Sequence, residues 1–447
     1  MKIVINKIAA LERKTGVGYY IQNLTESLQL LLHNTNSPAS LTSASPMNDQ
    51  LFTYPNGWVK EAVRYGRRIF FPSSKAAAAL PAPRIENSAI LKLDNQEHDH
   101  KIETKEQSAS CPSTLSGSTE SPSRISWKQR WRHVIRSAAR SSCQKHFRYY
   151  CQQNRIDIYH EPNYLPWPSD LPIITTILDL SVLLYPQWHP FDRVKSYEKH
   201  FAETIRRTSH FLTISDFCKM QMIRQLGIHP NQITTTYMGV RPELTPVALE
   251  KTESVLRSLG LEKDFLLAVG TLEPRKNLIT IFKAFADLPA SIREKHPLVV
   301  VGGWGWQAGE IADYLDRYGK QLAIRHIDYV DEDSLVILYQ NAACLLYPSH
   351  YEGFGLPPIE MLACGGCVLS STAGALREVL GQHAVFFDPH DVPAWREGIW
   401  RILTDLDYRQ SLKKNGISFA HSYSWNRCAE QTLGVYRSLQ KTQRQAA

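Results

Sequence analysis

The chain has 447 residues, of which 43% are hydrophobic, and it carries 51 Lys and Arg against 43 Asp and Glu. This length accommodates two domains of ordinary size, and no apolar run is long enough to span a membrane. The first residues are too short and too polar for a signal peptide, so we expect a cytoplasmic protein.

The cysteines and the charge distribution give further indications of the class of protein and its partners. The eight cysteines are scattered except for Cys364 and Cys367, and no second pair completes a metal or redox site. We therefore expect a small buried turn there and a reducing compartment. The net charge of +8 arises in the part of the chain up to Glu243. A basic surface favours phosphate-bearing partners, namely nucleic acid, anionic lipid or a lipid-pyrophosphate acceptor.

The chain begins with a strand, a glycine loop and a helix. The apolar run at residues 3–5 predicts a strand, and helically spaced apolar residues predict a helix over 19–32. Gly16 and Gly18 between them permit close approach of the backbone, either to a ligand or within a tight turn.

Residues 72–126 show neither strand nor helix periodicity and predict a flexible insertion. The segment that follows contains nine basic and no acidic side chains, which are Arg124, Lys128, Arg130, Arg132, Arg136, Arg140, Lys145, Arg148 and Arg155. Part of it has a partial apolar stripe and predicts a basic amphipathic helix. Three interpretations remain open: a solvated helix face, docking on an anionic membrane surface, and nucleic-acid binding.

From residue 156 to 237, short apolar strands alternate with helices predicted at 193–207 and 216–226, the second with Ser215 as its N-cap. This alternation predicts a mostly parallel, doubly wound α/β sheet. His160, Asn163 and Asp179 follow strand ends, where such sheets bind ligands. The alternative is that they are structural hydrogen-bonding groups.

A second series of strands and helices begins with a predicted strand at 265–270. Arg275 and Lys276 then precede a predicted helix. Two cations at a helix N-terminus oppose its dipole, which costs about 0.3–1 kcal/mol each. A bound diphosphate would reverse the sign of that term. The alternative is a solvated pair of charges, one balanced by Glu273.

The apolar run at 342–346 predicts a buried parallel strand, followed by a glycine-rich turn and a helix with prolines in its first turn. Such a turn favours an anion. Glu352 in the turn and Glu360 in the helix are suited to accept hydrogen bonds from the hydroxyls of a sugar or a ribose. An ordinary strand, turn and helix is the structural alternative.

Glu352 lies in the segment Tyr-Glu-Gly-Phe-Gly-Leu-Pro and is separated from Glu360 by seven residues. This pair resembles the paired-glutamate signature of GT4-type retaining glycosyltransferases, and the resemblance covers nearly the whole chain outside about residues 55–125. It implies the GT-B fold, with two Rossmann-like doubly wound α/β domains facing a cleft. The acceptor domain would span 1–243 and the donor domain 244–425, and a helix at 426–447 would cross back to the first domain.

The resemblance also implies roles for residues of the second domain. Arg275 and Lys276 would grip the donor diphosphate, Glu352 would bind hydroxyls of the donor sugar, and Glu360 would hold the ribose. The remaining donor contacts would come from backbone groups, namely those of Gly353, Phe354 and Gly355 at the sugar or phosphate and those of Tyr329 and Val330 at the base.

In the first domain, the resemblance implies that Gly16 and Gly18 face the cleft, and it puts His160, Asn163 and Asp179 on the acceptor side. Similar enzymes often have His-Asp-Leu-Ser where this chain has Leu178, Asp179, Leu180 and Ser181, so the His that would meet the donor sugar is absent. Because the other three residues remain, we interpret Leu178 as variation within a branch.

The implied activity is transfer of a sugar from a nucleoside diphosphate to a hydroxyl, with retention at the anomeric carbon. The resemblance is to bacterial mannosyltransferases of O-antigen and exopolysaccharide assembly, which suggests GDP-mannose and a glycan or lipid-linked acceptor. No DxD-type motif is evident, so we expect no metal or other cofactor, and nothing resembles a nucleic-acid-binding module. The alternatives are a nucleotide-sugar epimerase of the same fold and a non-catalytic basic protein that binds membrane or nucleic acid.

Overall fold

The computed structural model describes residues 1–10, 16–35, 49–55, 127–241, 244 and 249–446. The predicted insertion at 72–126 lies outside these residues, as does most of the stretch around the predicted domain boundary at 243. The chain divides into two compact units, one formed by Met1–Ala78 and Ser141–Ala447 and the other by Ala79–Arg140. The packing described below is that of the first unit, which contains two β-sheets.

The first sheet has six parallel strands in the order β2-β1-β3-β4-β5-β6. The strands are β1 (Lys2–Asn6), β2 (Gln50–Tyr54), β3 (Ile158–Glu161), β4 (Ile173–Ile177), β5 (Thr208–Thr213) and β6 (Ile233–Thr235). The predicted strands are confirmed with their ends shifted by a few residues. The edge strand β2 was not predicted, because its side chains are mostly half-buried and leave no clear alternation.

Helices follow the strands of this first half, as the alternating pattern predicted. They are α1 (Gly16–Thr35), α2 (Trp127–Asn154), α3 (Ser181–Leu184), α4 (Phe191–Arg207) and α5 (Asp216–Leu226). Short 3-10 helices lie at Ile8–Ala10, Pro186–Trp188 and Pro230–Gln232. The hydroxyl of Ser215 accepts a hydrogen bond from the backbone N–H of Cys218, which confirms the predicted N-cap of α5.

The second sheet also has six parallel strands, in the order β12-β11-β10-β7-β8-β9. Its strands are β7 (Phe265–Val269), β8 (Leu298–Val301), β9 (Ile324–Ile327), β10 (Ala342–Tyr347), β11 (Val368–Ser371) and β12 (Val385–Phe387). The order runs outward in both directions from β7 and β10. The carboxyl ends of these two central strands lie side by side, and such a switch in strand order is where open α/β sheets bind ligands.

Helices surround the second sheet and continue to the end of the described chain. They are α6 (Leu249–Ser258), α7 (Leu278–Ala286), α8 (Ala290–Lys295), α9 (Gly309–Tyr314), α10 (Glu332–Asn341), α11 (Leu356–Ala363), α12 (Leu376–Leu380), α13 (Val392–Thr404), α14 (Leu406–Lys413), α15 (Gly416–His421) and α16 (Trp425–Ala446). A 3-10 turn lies at Pro274–Lys276 and a π-helical turn at Leu315–Gly319.

The last helix, α16, returns to the first half of the chain, as predicted. The rings of Trp425 and Tyr20 in α1 have centroids 6.2 Å apart, and the hydroxyl of Tyr436 hydrogen-bonds His160 of β3. One continuous core of buried apolar side chains runs from β1 and α1 through α10 and α11 to α16. The two halves therefore share a hydrophobic core in addition to their separate sheets.

A carboxylate of the second half also caps a helix of the first. Glu378 in α12 accepts hydrogen bonds from the backbone N–H groups of Asp216 (2.8 Å) and Phe217 (2.7 Å), the first two residues of α5. It also accepts a bond from the hydroxyl of Tyr237 (2.8 Å). The first N–H groups of a helix have no partner within the helix, and the helix dipole favours a negative charge there. Glu378 thus fixes the position of α5 relative to the second sheet.

Replacing Glu378 by Ala should lower the free energy of unfolding by about 1–2 kcal/mol, because two helix N–H groups lose their acceptor and the hydroxyl of Tyr237 keeps only Asp216. Equilibrium urea denaturation measures the change. Glu397→Ala is the matched control, since Glu397 is 69% exposed and lies 3.8 Å from Arg396. Equal, small effects of the two substitutions would show that Glu378 contributes no more than a surface charge.

Candidate active site

The candidate site lies at the carboxyl ends of β7 and β10. The segment after β7 forms the 3-10 turn Pro274–Lys276, which carries Arg275 and Lys276 and ends at Asn277 with a φ of +53°. The segment after β10 carries Glu352. Because β7 and β10 are paired in the sheet, their following loops meet. The backbone N–H of His350 donates to the carbonyl of Arg275 (2.8 Å) and joins the two loops directly.

Arg275 and Lys276 converge on the carboxylate of Glu352. Nη1 of Arg275 lies 2.9 Å from Oε2 of Glu352, and Nζ of Lys276 lies 2.6 Å from Oε1. Arg275 also donates from Nη2 to Oε1 of Glu273 (2.6 Å) and from Nη1 to the carbonyl of Tyr351 (2.8 Å). These side chains are all largely buried. The two cations are therefore not the solvated pair that the alternative interpretation required.

Opposite charges determine the ionisation of this network. Burial opposes ionisation of Glu352, but Arg275 and Lys276 outweigh it and lower the pKa of Glu352 to about 2. Burial also opposes the charge on Arg275, yet Glu352 and then Glu273 raise the pKa of Arg275 well above its usual value. Burial lowers the pKa of Lys276, against the opposing effect of Glu352. Glu352 is thus a carboxylate at every physiological pH.

A cavity about the size of one water molecule borders Lys276. The residues that line it include Gly270, Thr271, Tyr347 and Ser349. Gly270 has a φ of +148°, and a Cβ at this position would lie 3.3 Å from Cε of Lys276. Glycine therefore allows the loop after β7 to pass close to the lysine side chain. Nζ of Lys276 donates to the hydroxyl of Tyr347 (2.8 Å), which directs the ammonium group toward the end of β10.

The glycine-rich turn after β10 contacts the first half of the chain. A side chain at Gly353 would overlap the carbonyl oxygen of Leu178 and Cβ of Asp179, in the loop after β4. Gly355 is the N-cap residue before α11 and has a φ of +101°, a conformation that favours glycine. The side chain of Phe354 is buried edge-on against Tyr423, with ring centroids 5.5 Å apart. Of Phe354, the backbone alone is therefore suited to contact a donor.

Glu360, the predicted ribose ligand, is hydrogen-bonded within the protein. Nε of Arg241 lies 2.9 Å from Oε1 of Glu360, and the hydroxyl of Tyr339 donates to Oε2 (3.0 Å). Arg241 lies at the end of the first half, and its guanidinium lies 5.3 Å from the ring centroid of Tyr19. A ribose hydroxyl would therefore share Glu360 with Arg241 and Tyr339, a constraint that the sequence did not indicate.

The other predicted donor contacts lie in loops or at a helix start. Strand β9 ends at Ile327, so Tyr329 and Val330 lie in the following loop, and the side chain of Tyr329 is 62% exposed. Gly16 is the first residue of α1, and a Cβ added to it would meet nothing within 4 Å. Gly18 is buried one half-turn further on. Packing within the protein therefore does not require a glycine at position 16.

The acceptor-side predictions have different outcomes. His160 is completely buried in β3, where Nδ1 is bonded to the hydroxyl of Tyr436 (2.6 Å) and Nε2 to that of Thr176 (2.8 Å). Both ring nitrogens of His160 are thus occupied by hydrogen bonds within the protein, which favours the structural alternative over an acceptor-side role. Oδ1 of Asp179 accepts bonds from the N–H and hydroxyl of Ser181, and Asn163 is half-buried just after β3. Asp179 lies close enough to Arg275 to raise its pKa.

A group of aromatic side chains beside Arg275 was not predicted. Tyr185 stacks on Trp188 with centroids 4.4 Å apart, and Trp188 lies parallel to His350 at 5.6 Å. Trp306, after β8, donates from Nε1 to the carbonyl of Trp188 (2.5 Å). Trp188 and Trp306 are 118 residues apart in the chain, so no local pattern relates them.

Comparison with known proteins agrees with this geometry. The family model "Glycosyl transferases group 1" matches residues 253–419. The chain is 34% identical over 284 residues to O-antigen chain mannosyltransferase B of Escherichia coli. This match covers 63% of this chain and 74% of that relative. It is 28% identical over 252 residues to serotype-specific mannosyltransferase WbdA of Escherichia coli, but this match spans 31% of WbdA.

Solved structures show the same fold at low identity. Sucrose-phosphate synthase of Thermosynechococcus elongatus has a TM-score of 0.63 and 17% identity, with 99% of this chain and 100% of that chain covered. HepE of Anabaena, solved in complex with UDP-glucose, has a TM-score of 0.60 and 12% identity, with 98% of this chain and 100% of that chain covered.

Two six-stranded parallel sheets with a returning C-terminal helix, and a cation pair at the edge of the second sheet, define a glycosyltransferase of the GT-B class. The chain belongs to the group 1 glycosyl transferases, of the GT4 type, and its curated relatives include O-antigen mannosyltransferases. Both the predicted family and the predicted fold class are confirmed.

Two kinds of feature are absent from the residues that the structure describes. In these ranges, no helix has the length and apolar character needed to cross a membrane. Nor do three or more His, Cys, Asp or Glu side chains of the described chain cluster as metal ligands.

The buried position of His160 makes stability depend on pH. Burial lowers the pKa of His160 from 6.5 to about 3. The imidazole is therefore protonated below about pH 6.5 in the unfolded chain, but only below about pH 3 in the folded protein. The stability present above pH 6.5 is therefore lost as the pH falls toward 3. In His160→Gln this contribution is absent, so the difference in unfolding free energy between wild type and variant should fall by up to about 1.4 kcal/mol per pH unit.

Urea denaturation of both proteins at pH 7, 6, 5 and 4 measures this difference. A difference that stays constant over that range would mean that His160 titrates in the folded protein as it does in the unfolded chain.

Proposed function

We propose that this protein is a retaining mannosyltransferase of surface-polysaccharide biosynthesis. It would transfer mannose from a nucleoside diphosphate, with GDP-mannose as the first candidate, to a hydroxyl of a growing glycan or lipid-linked acceptor. The observation that carries this proposal is the convergence of the largely buried Arg275 and Lys276 on Glu352 at the carboxyl ends of β7 and β10.

The cation pair matches the charge that such a reaction develops. Cleavage of the bond between the sugar and the diphosphate leaves negative charge on the diphosphate oxygens. Arg275 and Lys276 are held in place by surrounding acceptors and are shielded from water, so they stabilise this charge without reorganisation. This is the largest contribution that the residues of the site offer to catalysis.

Glu352 has two successive partners in this proposal. In the structure it holds the two cations together. When a diphosphate binds, phosphate oxygens take over as partners of Arg275 and Lys276, and the Glu352 carboxylate becomes an acceptor for hydroxyls of the sugar. Because a lone carboxylate would repel the diphosphate, the cations must stay between them. Both cations contact the one carboxylate in the structure, which supports such an arrangement.

Retention follows if the acceptor hydroxyl attacks from the face that the diphosphate leaves. No protein nucleophile is needed for that route, and no metal is needed because two side-chain cations compensate the leaving group. A covalent intermediate on Glu352 is the alternative route to the same stereochemical outcome. Glu360, Tyr329, Val330, Gly16 and Gly18 remain proposed donor contacts, and Asn163 and Asp179 remain on the acceptor side.

One observation supports mannose as the sugar and a glycan as the acceptor. The chain covers 74% of O-antigen chain mannosyltransferase B at 34% identity, and that relative's name states both the sugar and the product. A nucleotide-sugar donor has the support of the fold shared with HepE, which was solved with UDP-glucose. These names belong to the relatives, and the sugar, the donor and the acceptor come to this chain only as part of the proposal.

Work at the cytoplasmic face of a membrane would suit a lipid-linked acceptor. From Ser141 onward, α2 exposes Lys145, Arg148 and Tyr149, and Arg155 follows at its end. The side chains of 127–140 and all of 124–126 lie outside what is described, so this part of the predicted basic segment adds no support. Each basic residue near an anionic surface contributes about 1 kcal/mol to docking.

Replacing Arg275 and Lys276 together by Gln should weaken binding of GDP by several kcal/mol, because charge-assisted bonds to the diphosphate are lost. Isothermal titration with GDP measures the effect, and thermal melting checks the fold. Gln is used because it leaves Glu273 and Glu352 with hydrogen-bond donors.

Arg401→Gln with Lys414→Gln is the matched control, since it removes the same two charges from exposed positions. GDP affinity should be unchanged there. Equal affinity of wild type and the Arg275/Lys276 variant would remove the phosphate-binding role and the proposal with it.

A further inference from the structure

His189 is a buried histidine whose ring nitrogens make no hydrogen bond of normal geometry with the residues that the structure describes. Its exposed fraction is 5%, and the backbone of Ser181 lies near enough to affect its ionisation. A buried polar group left without a partner costs about 1–3 kcal/mol. His160, which is also buried in the first half, has both nitrogens satisfied. His189 is therefore unusual within this protein and requires an explanation.

The position of His189 links it to the candidate site. It follows the 3-10 helix Pro186–Trp188, where the carbonyl of Trp188 accepts the bond from Trp306 of the second half. The rings of His189 and Trp306 have centroids 6.0 Å apart. Asp179 and Arg275 both lie close enough to influence its ionisation. The imidazole thus lies where the loops after β4 and β8 meet, next to the proposed diphosphate-binding arginine.

The surroundings of His189 keep it neutral. Burial lowers its pKa to about 4, and the charges of Arg193 and Arg275 act in the same direction, against Asp179. The guanidinium of Arg193 lies 4.5 Å from the ring centroid of Trp306, so this cation is held beside His189. A neutral imidazole has one N–H donor and one acceptor nitrogen. A hydroxyl group, which both donates and accepts, matches it.

We propose that His189 hydrogen-bonds a hydroxyl of the transferred sugar when a nucleotide sugar occupies the Arg275–Lys276 pocket. This inference rests on the proposed function, because it assumes that a sugar diphosphate binds there. It assigns to His189 the contact for which the sequence offered no residue, since position 178 is occupied by a buried leucine. The aromatic rings of Trp188 and Trp306 fit a sugar site, in which a few polar groups are set among aromatic walls.

If His189 contacts the sugar, its substitution should change the affinity for the nucleotide sugar and leave the affinity for the nucleoside diphosphate unchanged. In His189→Phe an aromatic ring of similar size fills the space but offers no hydrogen bond, whereas in His189→Gln the amide retains a donor and an acceptor. The affinities of GDP and GDP-mannose are measured for each protein by titration, with UDP and UDP-glucose as the second pair. Transfer kinetics give KM and kcat for the nucleotide sugar that binds.

We expect His189→Phe to bind the nucleoside diphosphate within about twofold of wild type but to lose about five- to tenfold in affinity for the nucleotide sugar, the effect of one hydrogen bond. His189→Gln should recover most of that loss. KM for the donor should rise while KM for the acceptor stays constant. His210→Phe is the control, because His210 is half-buried on β5 and bonded to Thr234, away from the cleft.

Three results would overturn this assignment. One is an unchanged preference of His189→Phe for the nucleotide sugar over the nucleoside diphosphate. A second is an equal loss of both affinities, which would indicate a packing role only. A third is a rise in KM for the acceptor alone, which would place the contact on the acceptor. If wild type itself binds neither pair of ligands, the proposed function fails first, and that pattern is distinct from the other three.

Discussion

The structure of the candidate site depends on the burial of one carboxylate between two cations. Glu352 is held by Arg275 and Lys276, which come from the loop after the neighbouring strand, and loss of this carboxylate would leave Lys276 without its ion-pair partner and Arg275 with Glu273 alone. The requirement that β7 and β10 be adjacent in the parallel sheet follows from this interaction, since the three side chains belong to the loops after these two strands. An enzyme that neutralises a leaving diphosphate needs such a preorganised pair of charges.

The same region joins the two halves of the chain. Gly353 contacts the loop after β4, Glu378 caps α5, and Arg241 bonds to Glu360. The Trp188–Trp306 contact adds a polar and aromatic connection beside Arg275. Substrate contacts proposed for the second half are thus built on contacts with the first. These contacts fix the site residues of the second half against the first half without a covalent link.

Much of the fold and part of the site followed from the sequence. Alternating apolar runs predicted the two parallel sheets, and the spacing of Glu352 and Glu360 indicated the family, because strand-end loops and helix starts are local in sequence. The salt bridge between Glu352 and Lys276 links residues 76 positions apart, and the bond of Arg241 to Glu360 spans 119. Such pairs depend on the strand order. His160 was predicted at a strand end, the usual position of a ligand-binding residue. In the structure Tyr436 of the returning helix α16 hydrogen-bonds it, and the sequence does not indicate this long-range contact.

The proposed activity depends on binding of a nucleoside diphosphate by Arg275 and Lys276. A crystal structure of the protein with GDP is the direct test. Phosphate oxygens are expected within hydrogen-bonding distance of Arg275 and Lys276, with the bond from Lys276 to Glu352 replaced by a bond to phosphate. GDP bound elsewhere, with both cations still paired to Glu352, would rule out this role of the two side chains.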